Sequence, residues 1–75
     1  MVDDNMTVEV AYATPEEQVI LSVTAAEGTT VQQAIEASGI LQHFPEIDLA
    51  VNKVGIFSKI CKLEQPVNEG DRVEI

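Results

Sequence analysis

The chain has 75 residues, 45% of them hydrophobic and 23% charged, with 13 acidic against 4 basic side chains and a formal charge of −9. That length and balance fit one globular domain, 1–75, which buries only about 60% of the surface its unfolded chain exposes. The single cysteine, Cys61, excludes an internal disulfide, a four-cysteine zinc site and a four-thiolate iron–sulfur cluster within one chain.

No window approaches the roughly 18 apolar residues needed to cross a bilayer, so no membrane insertion is expected. The opening Met1-Val2-Asp3-Asp4-Asn5 lacks the basic and apolar regions of a signal peptide. A reducing, cytoplasmic setting follows, with residues 1–5 read as a disordered lead-in. The charge is uneven: residues 1–52 hold no Lys or Arg, and Lys53, Lys59, Lys62 and Arg72 carry all the positive charge. Nucleic acid is a poor partner for such a surface. A basic protein partner is one reading of the acidity; simple solubility is the other.

Met6, Val8, Val10 and Tyr12 alternate with Thr7, Glu9 and Ala11, which predicts a first strand. Thr14-Pro15-Glu16-Glu17-Gln18 makes a turn, and the β-branched run Val19 to Thr24 returns as the second strand of a hairpin. After a turn at Glu27-Gly28-Thr29, Thr30 and Gln33 have capping-box spacing, so a helix begins at Val31. Val31, Ala34, Ile35 and Ser38 form its narrow inward stripe, and Gly39 supplies a left-handed stop. Barely two turns long, the helix needs a sheet to dock on.

Residues 42–51 read as a connection in which Phe44, Ile47 and Leu49 tuck under the sheet while Pro45 prevents regular helix. Asn52 to Ile60 reads as one strand, with Val54, Ile56 and Ile60 on one face and Lys53, Phe57 and Lys59 on the other. The last strand turns Val73 and Ile75 inward and Arg72 and Glu74 outward. Two β units around one amphipathic helix predict an α+β roll: a mixed four- to five-stranded sheet with the helix on one face.

Four stretches, Val8 to Ala13, Gly28 to Gly39, Asn52 to Lys59 and Gly70 to Ile75, resemble the RnfH family of bacterial proteins over nearly the whole chain. The Asn52-Lys53-Val54-Gly55-Ile56-Phe57-Ser58 segment and the Ala34-Ile35-Glu36-Ala37-Ser38-Gly39 helix end carry most of the likeness. The resemblance implies a ubiquitin-like β-grasp fold related to the sulfur carriers of thiamine and molybdopterin synthesis. It also implies a poorly defined process: an accessory role beside an Rnf electron-transport complex, or an antitoxin masking a START-like partner.

Enzyme chemistry finds no constellation. His43, the lone histidine, has no nucleophile context and reads as a structural loop residue. Glu46 and Asp48 fall far short of a calcium loop, and no metal is expected. Cys61 lies beside Lys59 and Lys62, which would activate its thiol; a plain strand-end cysteine is the other reading. The four glycines have no phosphate-loop spacing, and no cofactor is expected.

The expected function is therefore a monomeric, non-enzymatic binding module whose partner is another protein. Its candidate surface is the sheet face opposite the helix: Lys53, Phe57, Lys59, Arg72 and Ile20, an aromatic ringed by positive charge. The competing reading covers Phe57 with the 60–66 segment and leaves the cations solvated. A sulfur-carrier-type protein is the alternative in another class, disfavoured because that chemistry needs a flexible Gly-Gly carboxylate and the sequence ends Arg72-Val73-Glu74-Ile75.

Overall fold

Val8 and Val10, fully buried on either side of the outward Glu9, fix the inner face of β1 (Asn5–Ala13) in the computed structural model, which describes residues 5–75. Asn5 belongs to this strand, so the disordered lead-in expected for 1–5 does not extend to it; residues 1–4 lie outside the described part. At Thr14 the hydroxyl accepts the N–H groups of Glu16 and Glu17, and its own N–H donates to the Glu17 carbonyl at 2.7 Å. That turn returns the chain as β2 (Gln18–Ala26), paired with β1 over nine residues in one unbroken antiparallel register.

The expected capping box forms at the start of α1 (Val31–Ser38): Gln33 N–H donates to Thr30 Oγ1 at 3.2 Å, and Thr30 N–H donates to Gln33 Oε1 at 3.0 Å. A helix leaves its first four N–H groups without intrahelical partners. Here every one is met: Thr30 and Gln33 satisfy each other through the capping box, Val31 donates to the Gln65 carbonyl at 2.8 Å and Gln32 to the Leu63 carbonyl at 3.0 Å, and the first intrahelical bond runs from Ala34 N–H to the Thr30 carbonyl at 2.9 Å. The segment after Cys61 is thus sewn to the helix start, and Val67 N–H to the Thr29 carbonyl extends the seam. Val67, to which the sequence pattern gave no role, is buried by it.

Gly39 ends α1 at φ 79°, a left-handed position that costs an L side chain about 1–2 kcal/mol. The chain then re-enters a helical turn, α2 (Ile40–His43), which the sequence pattern did not predict. Its cause is local: Ser38 Oγ accepts the Ile40 N–H at 3.1 Å, and Gly39 supplies its carbonyl to Gln42 and His43. Ile40 becomes part of the core, and Phe44, Ile47 and Leu49 follow it under the sheet as expected.

Residues 52–60 are not one strand. β3 (Val54–Ile56) and β4 (Lys59–Cys61) form a tight hairpin through Phe57 and Ser58, both at positive φ, 49° and 70°. β5 (Arg72–Glu74) completes a five-stranded sheet of order β2-β1-β5-β3-β4, in which only the central β1–β5 pair is parallel. This is the α+β roll with the helix on one face. Its core lies between α1 and the middle strands, where Val8, Val10, Val31, Ile35, Ile40 and Val73 are fully buried. Each such side chain contributes about 1.5–3 kcal/mol, so the core rather than surface polar contacts holds the fold.

Tyr12 ties the 40–47 segment to β1. Its ring lies 5.0 Å from that of Phe44, tilted by 60°, and its hydroxyl donates to Glu46 Oε2 at 3.2 Å. Burial, and then the neighbouring Glu46 carboxylate, push the phenol pKa above its ordinary value. A proton held more tightly in the folded state favours folding below the unfolded value near about 10 and ceases to do so as pH rises through the higher folded value.

Thr30→Ala removes the cap and is expected to cost about 1 kcal/mol, or about 4–8 °C in Tm for a domain of this size; an unchanged melting curve would show that the 63–65 carbonyls suffice. Tyr12→Phe is expected to reduce the loss of stability above about pH 10, read from urea midpoints of both proteins across the alkaline range. Parallel curves there would rule the phenol out as the titrating group.

Candidate functional site

Strand register decides what the helix-free face displays. The pairs Ala11↔Ile20, Ala11↔Glu74, Gly55↔Glu74 and Gly55↔Ile60 make one row across all five strands: Ile20, Ala11, Glu74, Gly55, Ile60. Strands stand about 4.8 Å apart, so this row is roughly 19 Å long. The next row runs Ser22, Glu9, Arg72 and then Phe57, whose N–H donates to the Arg72 carbonyl at 3.1 Å.

The two-residue turn reverses the facing expected beyond it. In a hairpin, paired residues share a face, so Lys59 joins Ile56 on the inner side and Ile60 joins Gly55 on the outer one. An uninterrupted strand would have done the opposite. Lys59 is therefore an exposed edge cation at the rim, and Ile60, 74% exposed, takes its place on the open face. Lys53 precedes β3 and sits beyond the ladder, exposed. Ile20 stays on the open face at the far side of the sheet, 42% exposed.

Arg72 does point outward, but its charge has a partner: Nε lies 2.9 Å from Glu9 Oε1, across the parallel β1–β5 pair. Both side chains are 39% exposed, where an ion pair contributes only about 0.2–1 kcal/mol. It holds the two chains in one orientation more than it stabilises the fold. Ser58 Oγ similarly donates to Glu74 Oε1 at 3.2 Å. In place of the ring of positive charge expected around Phe57, the structure has an apolar corner, Phe57 and Ile60, beside a polar centre in which Arg72 is paired with Glu9 while Glu74 keeps its charge and accepts from Ser58.

The 60–66 segment does not cover Phe57, which is 56% exposed. Its backbone carries a cost, since a non-glycine residue at positive φ is disfavoured by about 1–2 kcal/mol. Tight hairpins of this kind favour Asn and Gly for that reason. Gly55 has the converse role: a Cβ there would meet the Lys59 carbonyl oxygen at 2.6 Å, so only glycine lets β3 and β4 close this tightly.

The remaining candidates disperse. Burial pushes the Cys61 thiol pKa up, against the activation that Lys59 and Lys62 would provide. His43 is exposed on α2, its ring 6.5 Å from that of Phe44. Glu46 accepts from Tyr12, and Asp48 Oδ1 accepts the Ala50 N–H at 2.9 Å, so both carboxylates serve local structure. Among the described residues no group of three or more His, Cys, Asp or Glu is placed to hold a metal ion. A groove of about 490 Å³ beside Gly28 and Asn68 is lined by Glu27 but by no Ser, Thr, Cys, Lys or His. No helix among the described residues is long and apolar enough to cross a membrane.

Residues 6–75 match the profile described as the RnfH family ubiquitin domain. The chain belongs to the RnfH family. It is 61% identical over 70 residues to Protein RnfH of Cereibacter sphaeroides, covering 93% of this chain and 82% of that one. With Protein RnfH of Salmonella newport it shares 57% over 72 residues, 96% and 75% of the two chains. Among solved structures it resembles protein HI0395 from Haemophilus influenzae, a three-dimensional domain-swapped dimer, at TM-score 0.66 and 54% identity, covering 95% of this chain and 89% of that one. The ubiquitin-like fold is thus a property of the family, and the relatives' names carry no enzymatic activity. The expectation of a monomer has no support from a relative that exchanges elements between two copies.

Phe57→Asn is expected to keep the fold and raise its stability by about 0.5–1 kcal/mol, since asparagine tolerates the left-handed turn position and little packing is lost. Thermal denaturation checks it. A fall of several degrees would mean that the ring is a structural contact.

Proposed function

We propose that this RnfH-family protein is a non-enzymatic binding module that engages another protein through its helix-free sheet face. The observation that carries the reading is Phe57: a large apolar ring, more than half exposed, on a turn residue whose backbone is disfavoured for it. A side chain that costs stability and adds little to the core is better explained by a partner than by folding. Ile60 doubles the apolar corner, Lys59 stands at the rim of the same hairpin and Lys53 at the far end of β3 as exposed cations, and Arg72 and Ile20 continue the surface across the sheet.

The family resemblance supplies two partner classes, a component associated with an Rnf electron-transport complex and a START-like protein held in an antitoxin pair. The mixed character of the face, with apolar anchors beside an ion-paired centre, suits a protein surface of complementary shape with acidic groups facing the lysines. The copy number that this face works in is open to both a monomer and an exchanged dimer of the kind seen for protein HI0395.

Affinity capture from native extract tests the reading, comparing the chain with a Phe57→Asp/Ile60→Asp variant that retains its melting curve. The expected result is a partner retained at least about tenfold less by the variant, a loss typical of removing a central anchor. Equal retention of the same proteins would place the contact elsewhere on the molecule.

A further inference from the structure

The two edges of the sheet are guarded very differently. β4 is three residues long, begins with Lys59 and is followed by Lys62, the short, charged edge that discourages further strand pairing. β2 ends the sheet on the other side and has none of these devices. Its nine residues, Gln18–Ala26, contain no charge and no proline, and its register with β1 has no bulge.

The backbone groups left open on that edge can be named. β1 turns the groups of Thr7, Glu9 and Ala11 toward β5: Thr7 accepts from Gly70 N–H, Glu9 donates to the Asp71 carbonyl, and Ala11 accepts from Ile75 N–H, each at 2.9 Å. Antiparallel pairs alternate, so β1 bonds to β2 through Val8, Val10 and Tyr12, opposite Val23, Leu21 and Val19. The N–H and C=O groups of Ile20, Ser22 and Thr24 therefore face outward, away from the sheet. On the inner side Val19 and Leu21 are only half-buried, leaving apolar surface for alternate side chains of an added strand.

We infer that the β2 edge is a strand-addition site for an extended segment of another protein, an apolar alternating stretch flanked by basic residues. Charge selects this occupant. Exposed Glu16 and Glu17 stand at one end of β2 and exposed Glu27 at the other, within the half of the sequence that has no Lys or Arg. A second copy is the wrong partner: two β2 strands paired antiparallel about Ser22 would set Glu17 of each against Glu27 of the other, and each copy brings a formal charge of −9. Basic flanks meet the acidic ends in either strand direction. The site uses backbone at the edge, whereas the proposed face uses the Phe57 corner at the opposite side of the sheet.

The test uses the full chain and two synthetic peptides with the same alternating valine–threonine centre, one with two lysines at each end and one with two glutamates. The basic peptide is expected to bind at least about tenfold more tightly, to slow hydrogen exchange at the Ile20, Ser22 and Thr24 amides, and to lose its advantage as salt is added. Ser22→Pro removes an outward N–H without touching the β1 ladder and is expected to abolish binding. Should that variant misfold, Glu16→Lys/Glu17→Lys/Glu27→Lys leaves the backbone intact and is expected to reverse the peptide preference. The Phe57→Asp/Ile60→Asp variant is expected to bind the basic peptide normally, which separates this site from the face. Unprotected edge amides, or a preference that charge reversal leaves unchanged, would overturn the inference. So would sedimentation showing self-association through β2, because the occupant would then be a second copy.

Discussion

The parallel pairing of β1 with β5 is the constraint on which the other features depend. It sets Val10 against Val73, both fully buried, at the centre of the core, and it sets Glu9 against Arg72 on the opposite face. It also commits alternate backbone groups of β1 to β5. Those groups determine which ones remain for β2, and so which atoms of β2 are left for something outside the chain. One register thereby specifies the core, the polar centre of the open face and the chemistry of the edge.

The second organising contact is the helix start. The Leu63 and Gln65 carbonyls satisfy donors of α1 that Thr30 cannot reach, so the long connection between β4 and β5 is held without secondary structure of its own. Pro66 and Val67 continue that contact beside Thr29 and Thr30. Such a loop places β5 with little freedom, and the capping box and the central strand pairing become parts of one cooperative unit.

Local signals in the sequence were legible and non-local ones were not. Thr30 and Gln33 announce the helix because both ends of the capping box lie within four residues, and Gly39 marks its end by the same kind of short-range rule. The hairpin at Phe57 and Ser58 was hidden because its turn uses neither Asn nor Gly, so alternation runs on through it and turns Lys59 and Ile60 onto the wrong faces. The informative residue was Gly55, whose need for a missing Cβ is set by the returning strand and cannot be seen before that strand is placed. Of the residues of the candidate surface, register puts Arg72 and Ile20 on the helix-free face, and Phe57 is exposed in the turn next to Arg72. The Glu9–Arg72 pair was invisible, because it joins residues 63 positions apart through a strand register.

That separation has a temporal side. β1, β2 and α1 assemble from neighbours in sequence, but β1 stays half-paired until residues 72–74 arrive. At ribosomal rates of about 5–20 residues per second, the roughly 45 residues between β2 and β5 take about 2–9 s to synthesise. Once β2 has paired with β1, and until β5 docks, the chain carries an open sheet edge at Thr7, Glu9 and Ala11, later sealed in the middle of the sheet. Before the last strand closes it, the strand that becomes the centre of this domain is open to pairing with a neighbouring chain or to a chaperone.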